Sequence, residues 1–123
     1  MQLQVASPIL GFEEITDFTL EKIDDYFYTL THGEIVFTLI DPVKLRDYTF
    51  DLPPFYAQKL GAKDAAELLV LCIVIIQNPI EISTINFRAP VVINKETEKL
   101  VQVPLDEQYY PDFSLAEEIK RYL

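Results

Sequence analysis

The chain reads as mostly antiparallel β, folded into a sandwich or a barrel with two short helices, and three observations lead there. Short runs rich in β-branched and aromatic residues recur from end to end, several alternating apolar with polar. Pro, Gly, Asn and Asp separate these runs at intervals suited to turns. Helix signals occur in only two stretches, near the middle and at the C-terminal end.

Taken in order, Leu3 to Ala6 is a first strand, and Ser7-Pro8 ends it because the residue before proline is pushed out of helical conformations. The chain turns at Gly11, and Phe18 to Ile23 alternates as a half-buried strand does, up to a turn at Asp24-Asp25. Tyr26 to Thr31 and Ile35 to Ile40 flank Thr31-His32-Gly33-Glu34, which is short enough to close a hairpin. Asp41-Pro42 stops the second of these strands, and Leu45 to Leu52 runs irregularly or as a short strand around Tyr48 and Phe50.

Proline in a first turn and glycine just past the end frame Pro54 to Leu60 as a two-turn helix closed by Gly61. Leu68 to Ile76 is apolar throughout, and β-branching at Val70, Ile73, Val74, Ile75 and Ile76 makes it a buried strand. Thr84 to Phe87, Val91 to Asn94 and Leu100 to Val103 add three more strands. The polar run from Asn94 to Lys99 is a hairpin loop, and Pro104 belongs at an edge. From Ser114, the spacing of Leu115, Ile119 and Tyr122-Leu123 predicts a short amphipathic helix with Ser114 as N-cap and Glu117 completing a capping box.

The 123 residues, half of them hydrophobic, suit a single domain with one core, spanning 1–123. Twenty acids against ten bases give a net charge of −10, shared as −6 over residues 1–61 and −4 over 62–123. Such a balance disfavours phosphate backbones and anionic membranes, so neither nucleic acid nor a membrane is an expected partner, whereas a basic protein is. Met1 to Ser7 lacks a basic region followed by a long apolar block, and the longest apolar run is nine residues against about 20 for a span. With Cys72 the only cysteine, no internal disulfide forms, and a soluble cytoplasmic protein is expected.

Chemistry is thinly represented. Three glycines exclude Gly-rich phosphate loops, and the only histidine, His32, lies beside Gly33 in a predicted turn. Cys72 sits within the most apolar run, where a thiol behaves as a small hydrophobe. Ser7, Ser83 and Ser114 are explained by a proline boundary, a strand start and a helix cap, with no Gly-x-Ser-x-Gly elbow around any of them. No cofactor or metal motif is present, and the pairs Glu13-Glu14, Asp24-Asp25 and Glu117-Glu118 are adjacent acids of the kind that turns and polar faces carry in solvent. A non-catalytic protein is expected. The rival reading is a small β-barrel enclosing a low-molecular-weight ligand, or a hydrolase using a carboxylate pair. It requires a deep pocket with converging polar groups and a perturbed carboxylate.

Binding has two candidate surfaces. Glu13, Glu14, Asp17, Glu21, Asp24 and Asp25 place six acids within thirteen residues, against Lys22 alone, and would attract a basic protein. Tyr48, Phe50, Phe55, Tyr56, Tyr109, Tyr110 and Phe113 lie in loop-like sequence; most are expected in the core, and some are expected to form a contact patch, since tyrosine offers contact area with a polar tip.

Leu10-Gly11-Phe12-Glu13, Leu39-Ile40-Asp41-Pro42, Asn86-Phe87-Arg88-Ala89-Pro90-Val91-Val92-Ile93-Asn94, and Val101-Gln102-Val103 before Tyr109-Tyr110 follow one another in an order and spacing that resemble the FliW family of bacterial flagellar assembly factors. The Asn-x-x-Ala-Pro-x-x-x-Asn element, followed by a strand carrying glutamine, is the most specific part, and the set covers nearly the whole chain. The sequence departs from the family at Arg88, where related sequences tend to carry an apolar residue. The resemblance implies a small antiparallel β-barrel-like domain with short helices, cytoplasmic and without catalysis, a monomer when free. It further implies two partners: newly made flagellin, and the RNA-binding translational repressor CsrA, which the protein antagonises once flagellin has been exported. On this reading the six N-terminal acids face CsrA, and the surface around Phe87, Arg88, Tyr109 and Tyr110 faces flagellin.

Overall fold

The computed structural model describes residues 1–63 and 67–123. Among the described residues, eight strands, β1 (Gln2–Ser7), β2 (Asp17–Lys22), β3 (Phe27–His32), β4 (Ile35–Ile40), β5 (Leu69–Ile75), β6 (Thr84–Asn94), β7 (Lys99–Gln102) and β8 (Glu117–Glu118), alternate with little helix. The order β5-β4-β3-β2-β1-β7-β6 closes on itself through a β5–β6 pairing, giving a seven-stranded barrel, and β8 adds a short pairing on β6. The expected barrel is thus present. Six of its seven pairings are antiparallel, and β1 lies parallel to β7. That parallel contact joins strands from the two ends of the sequence, so no local pattern announces it.

Strand parity sorts the apolar residues into two layers. Facing inward, cross-strand partners such as Leu3 and Phe18, Leu20 and Leu30, Leu39 and Ile73, Leu71 and Val91, and Ile93 and Leu100 fill the barrel. The alternate set, Ile40, Cys72, Val74, Ile85, Val92 and Val101, points out of the barrel on one side only. It is covered there by Tyr48, Leu60, Leu105, Phe113 and Ile119 from two irregular segments. Fully burying each such side chain contributes about 1.5–3 kcal/mol. The opposite outer face, carrying Thr19 and Glu21 of β2, Thr29 and Thr31 of β3 and Val36 and Thr38 of β4, is left to solvent, which explains why β2 alternates so clearly in sequence.

Most predicted elements are present within a residue or two. β3 and β4 meet at His32 and Ile35, with Gly33 at φ +57° in the turn. The middle helix, α1 (Pro54–Lys59), starts on proline, and Gly61 follows at φ +63°. Leu45 to Leu52 is irregular, and Pro104 lies just beyond β7.

Two expectations are corrected. Thr84–Phe87 and Val91–Asn94 form one continuous strand, because the Asn86 side-chain oxygen accepts hydrogen bonds from the Arg88 and Ala89 N–H groups (3.0 and 3.1 Å). Those donors are satisfied across a register shift instead of in a turn. The predicted helix from Ser114 is also absent: β8 is followed by a 3₁₀ turn at Ile119–Tyr122. The Ser114 hydroxyl accepts only from Ala116, and its carbonyl is taken by the Phe87 N–H (2.9 Å). The Glu117 side chain, one-tenth exposed, turns to Arg46, Arg121 and the Tyr122 hydroxyl. A local turn thus holds the Ser114 hydroxyl and Arg46 draws the Glu117 carboxylate away, so the capping box does not form.

Candidate partner-binding surface

The six predicted acids occupy three places. Glu13 and Glu14 are exposed in the loop that joins β1 to β2, where Gly11 adopts φ +90° and its N–H donates to the Glu13 carboxylate (3.0 Å). The Gly11 N–H, acting on the ionised form, holds the Glu13 carboxyl below its ordinary range. Asp17 and Glu21 point outward from β2, and Asp17 is occupied by the Gln2 amide (2.7 Å) and by His32 Nδ1 (3.1 Å). Asp24 and Asp25 stand past the other end of the strand. Asp24 accepts from the Tyr26 and Phe27 N–H groups, and Asp25 lies 4.0 Å from Lys22. A six-residue strand is roughly 20 Å long, so the acids form a stripe instead of one cluster, with Glu13 and Glu14 in no ion pair among the described residues.

Of the four residues expected at the second surface, the structure exposes chiefly one. Tyr109 is 78% exposed. Tyr110 stacks on Phe113 at 5.5 Å and its hydroxyl accepts from the Asp51 N–H, so it holds the covering segments together. Arg88 is half-buried, donating from Nε to the Phe113 carbonyl (3.1 Å) with Nη1 3.8 Å from Glu107. Phe87 corrects the expectation: it is wholly buried beneath the Arg46 guanidinium and beside Tyr48 and Tyr122. The expectation misplaces it because Phe87 lies on the outward face of the barrel, but at the part of that face that the C-terminal segment covers. It supports the surface and does not form it.

Between these two regions lies a groove of about 470 Å³ whose lining is mainly apolar. Leu10, Phe12 and Glu13 come from the β1–β2 loop, Phe37 from β4, Ile75 from the end of β5, Asn86, Arg88 and Ala89 from β6, and Leu115 from the C-terminal segment. Phe12 meets Phe37 edge to face at 4.9 Å, while Leu10, Ile75 and Leu115 are each more than half exposed. Gln102 ties the walls together: its side-chain oxygen accepts from the Leu10 N–H (2.7 Å) and its amide donates to the Ala89 carbonyl (3.2 Å). In the sequence, Leu10 stands only within the family motif, Ile75 within an expected buried strand and Leu115 within an expected helix, none of them as a site residue. The available signal was a leucine outside any strand, next to a glycine.

The groups able to do chemistry are otherwise engaged. The Tyr48 hydroxyl donates to the Phe87 carbonyl beside the Cys72 thiol, and burial pushes that thiol up to about 12. Ser83, Asn94 and Gln102, the buried polar residues among those described, all bond to backbone groups. The barrel interior that the rival reading needs for a ligand is packed with Leu3, Phe18, Leu30, Leu39 and Leu71, each at most 1% exposed.

The chain is similar along its length to flagellar assembly factors. The family model described as FliW protein matches residues 1–117. Flagellar assembly factor FliW 2 of Wolinella succinogenes is 44% identical over 125 residues, covering 99% of this chain and 92% of that protein. Flagellar assembly factor FliW of Campylobacter lari is 40% identical over 127 residues, covering 100% and 97%. In three dimensions, a crystal structure of the flagellar assembly factor FliW superposes with a TM-score of 0.83 at 23% identity, over 95% of this chain and 84% of that one, and so shares the fold. A seven-stranded barrel with its interior filled, the Asn86–Asn94 element built into one bulged strand and Gln102 bridging it to the first loop thus meet in a chain that belongs to the FliW family.

Proposed function

We propose that this flagellar assembly factor binds flagellin before export and, when free of it, antagonises the translational repressor CsrA, so coupling flagellin synthesis to secretion. It does so in the cytoplasm, as a monomer when free, by docking and without catalysis. The observation that supports this most is the division of the molecule into a packed interior and an acidic exterior, in a chain related from end to end to flagellar assembly factors.

A net charge of −10 steers a basic partner toward the stripe from Glu13 to Asp25. At physiological ionic strength the Debye length is about 8 Å, so each end of a stripe roughly 20 Å long attracts nearly independently. Glu13 and Glu14 are therefore the acids best placed to act together, and Glu13 borders the groove. Antagonism of the repressor proceeds by covering its RNA surface or by disfavouring its RNA-competent state, and by either route the coupling is reciprocal: RNA weakens the protein's hold on CsrA by the same factor.

The test is titration of the purified protein with flagellin monomers and with CsrA from the same cell, followed by a salt series. Both partners bind, and the double substitution Glu13→Lys with Glu14→Lys slows CsrA association and flattens its dependence on salt. Failure to bind either partner overturns the function. Unchanged association kinetics across ionic strength removes the Glu13-Glu14 end from the contact.

A further inference from the structure

We propose that residues 114–123 form a displaceable strap over an open edge of β6, and that this edge accepts in its place an extended peptide carrying an acidic side chain and, two residues later, a branched apolar one, the pattern that Glu117 and Ile119 present.

The edge exists because β6 outruns its neighbour. β7 pairs with β6 only over Val91–Asn94, and the backbone beyond it reaches the Pro90 and Arg88 carbonyls, so from Ser83 to Phe87 that side of the chain has no partner from the barrel ring, while the other side pairs with β5. The strap supplies the missing partner. Thr84 and Ile85 pair antiparallel with Glu118 and Glu117, the Phe87 N–H donates to the Ser114 carbonyl (2.9 Å), and the Ile119 N–H donates to the Ser83 carbonyl (2.8 Å). Main-chain bonds along such an edge give affinity for an extended peptide, and the places of its side chains give selectivity. Here Ile119 enters the apolar layer that holds Ile85 and Phe87, and Glu117 lies 3.7 Å from Nη1 of Arg46, whose guanidinium stands over the Phe87 ring.

Little holds the strap in place. From 114 to 123 Ile119 alone is buried, with Glu117 and Tyr122 partly so, and Leu123 is 77% exposed. The entropy lost in ordering this backbone is set against one buried side chain, a short ladder and the Arg46 contact. The barrel does not need the strap, because its ring closes through β5 and β6. The local sequence also opposes the docked shape. Leu115, Ile119 and Tyr122 have helical spacing, and Glu117 and Arg121 pair at i, i+4 (2.7 Å), yet the backbone is extended at Glu117 and Glu118. A segment whose local preference disagrees with its docked conformation is released at lower cost.

The test uses the full chain, the full-length variant Ile119→Asp, which loosens the strap and leaves the barrel ring intact, and a fluorescent synthetic peptide of residues 114–123 added in trans. The peptide is expected to bind Ile119→Asp about tenfold or more tighter than it binds the parent, whose own strap competes. Peptides carrying Glu117→Lys or Ile119→Asp are expected to lose about tenfold or more on that variant. In the parent alone, the Phe87 and Ile119 amides are expected to exchange with solvent about tenfold or more faster than the slowest amides of β3 and β4. Peptide binding within twofold on parent and variant, binding to neither, or binding indifferent to both peptide substitutions overturns the proposal. Exchange at Phe87 and Ile119 no faster than in β3 and β4 means that the strap opens only with the barrel, and overturns it even if Ile119→Asp fails to fold. A parent dimer that the peptide separates puts a second copy's segment on the edge and overturns a partner peptide as its occupant.

Discussion

Replacing Gln102 with leucine removes a side chain that hydrogen-bonds the β1–β2 loop to the bulged strand β6. Two hydrogen bonds are lost, to the Leu10 N–H (2.7 Å) and to the Ala89 carbonyl (3.2 Å), while the hydrophobic volume of the residue is nearly kept. Each bond contributes about 0.5–1.5 kcal/mol net, and a backbone group left buried without a partner costs about 1–3 kcal/mol. Leu10 is well exposed, so its N–H regains water, whereas the half-buried Ala89 carbonyl is less free to do so. The expected loss is thus roughly 1–3 kcal/mol in urea unfolding, with little change in the denaturant slope. Hydrogen exchange adds local resolution: the Leu10 amide becomes unprotected while β3 and β4 exchange as before. A loss below about 0.5 kcal/mol with Leu10 still protected refutes the claim that Gln102 anchors the groove.

Two other perturbations separate core from surface and test the buried thiol. Phe87→Ala is expected to destabilise by about 3–5 kcal/mol, because it opens a cavity under Arg46 and beside Tyr48, whereas Tyr109→Ala stays within about 0.5 kcal/mol; paired denaturation curves decide this. For Cys72, burial raises the folded thiol from 9.0 to about 12, so between those values the unfolded chain gives up a proton that the folded chain keeps. That stability is fully present below pH 9 and is lost as pH rises toward the folded value, at about 1.4 kcal/mol per unit. The stability difference between the parent and Cys72→Ala should therefore fall by about 1.4 kcal/mol from pH 7.5 to pH 10, measured by denaturant unfolding at each pH; a constant difference contradicts it.

The barrel strands were legible because each carries its own signal. β2 alternates since one face meets Leu3 and Leu30 and the other meets water, and β5 is apolar from Leu71 to Val74 since both its faces are covered there, while Ile75 at its end is exposed. What was not legible depended on contacts distant in sequence. The capping box at Ser114 and Glu117 is a sound local signal that loses to Arg46 and the Phe87 N–H, neither of which the local pattern includes. Asn86 marks a break in the ladder, as asparagine often does, but its side chain repairs the break and the strand continues.

The candidate surface was legible in the same uneven way. Clustered acids in the sequence predict a negative region, yet the strand between Asp17 and Asp24 spreads them into a stripe. Phe87 shares a motif with Arg88, and only the fold reveals that the motif's apolar member is covered. The groove was invisible to the sequence because Leu10, Ile75 and Leu115 are distant along the chain and each is unremarkable alone.

Hydrogen exchange of the protein alone and saturated with CsrA probes most directly whether it works as a docking partner through its exterior. The amides from Leu10 to Glu14 should slow on addition of CsrA, while those of β3 and β4 keep their rates. Exchange that CsrA leaves unaltered everywhere, or slowing confined to the threonine-bearing outer face of β2 to β4, would contradict that claim.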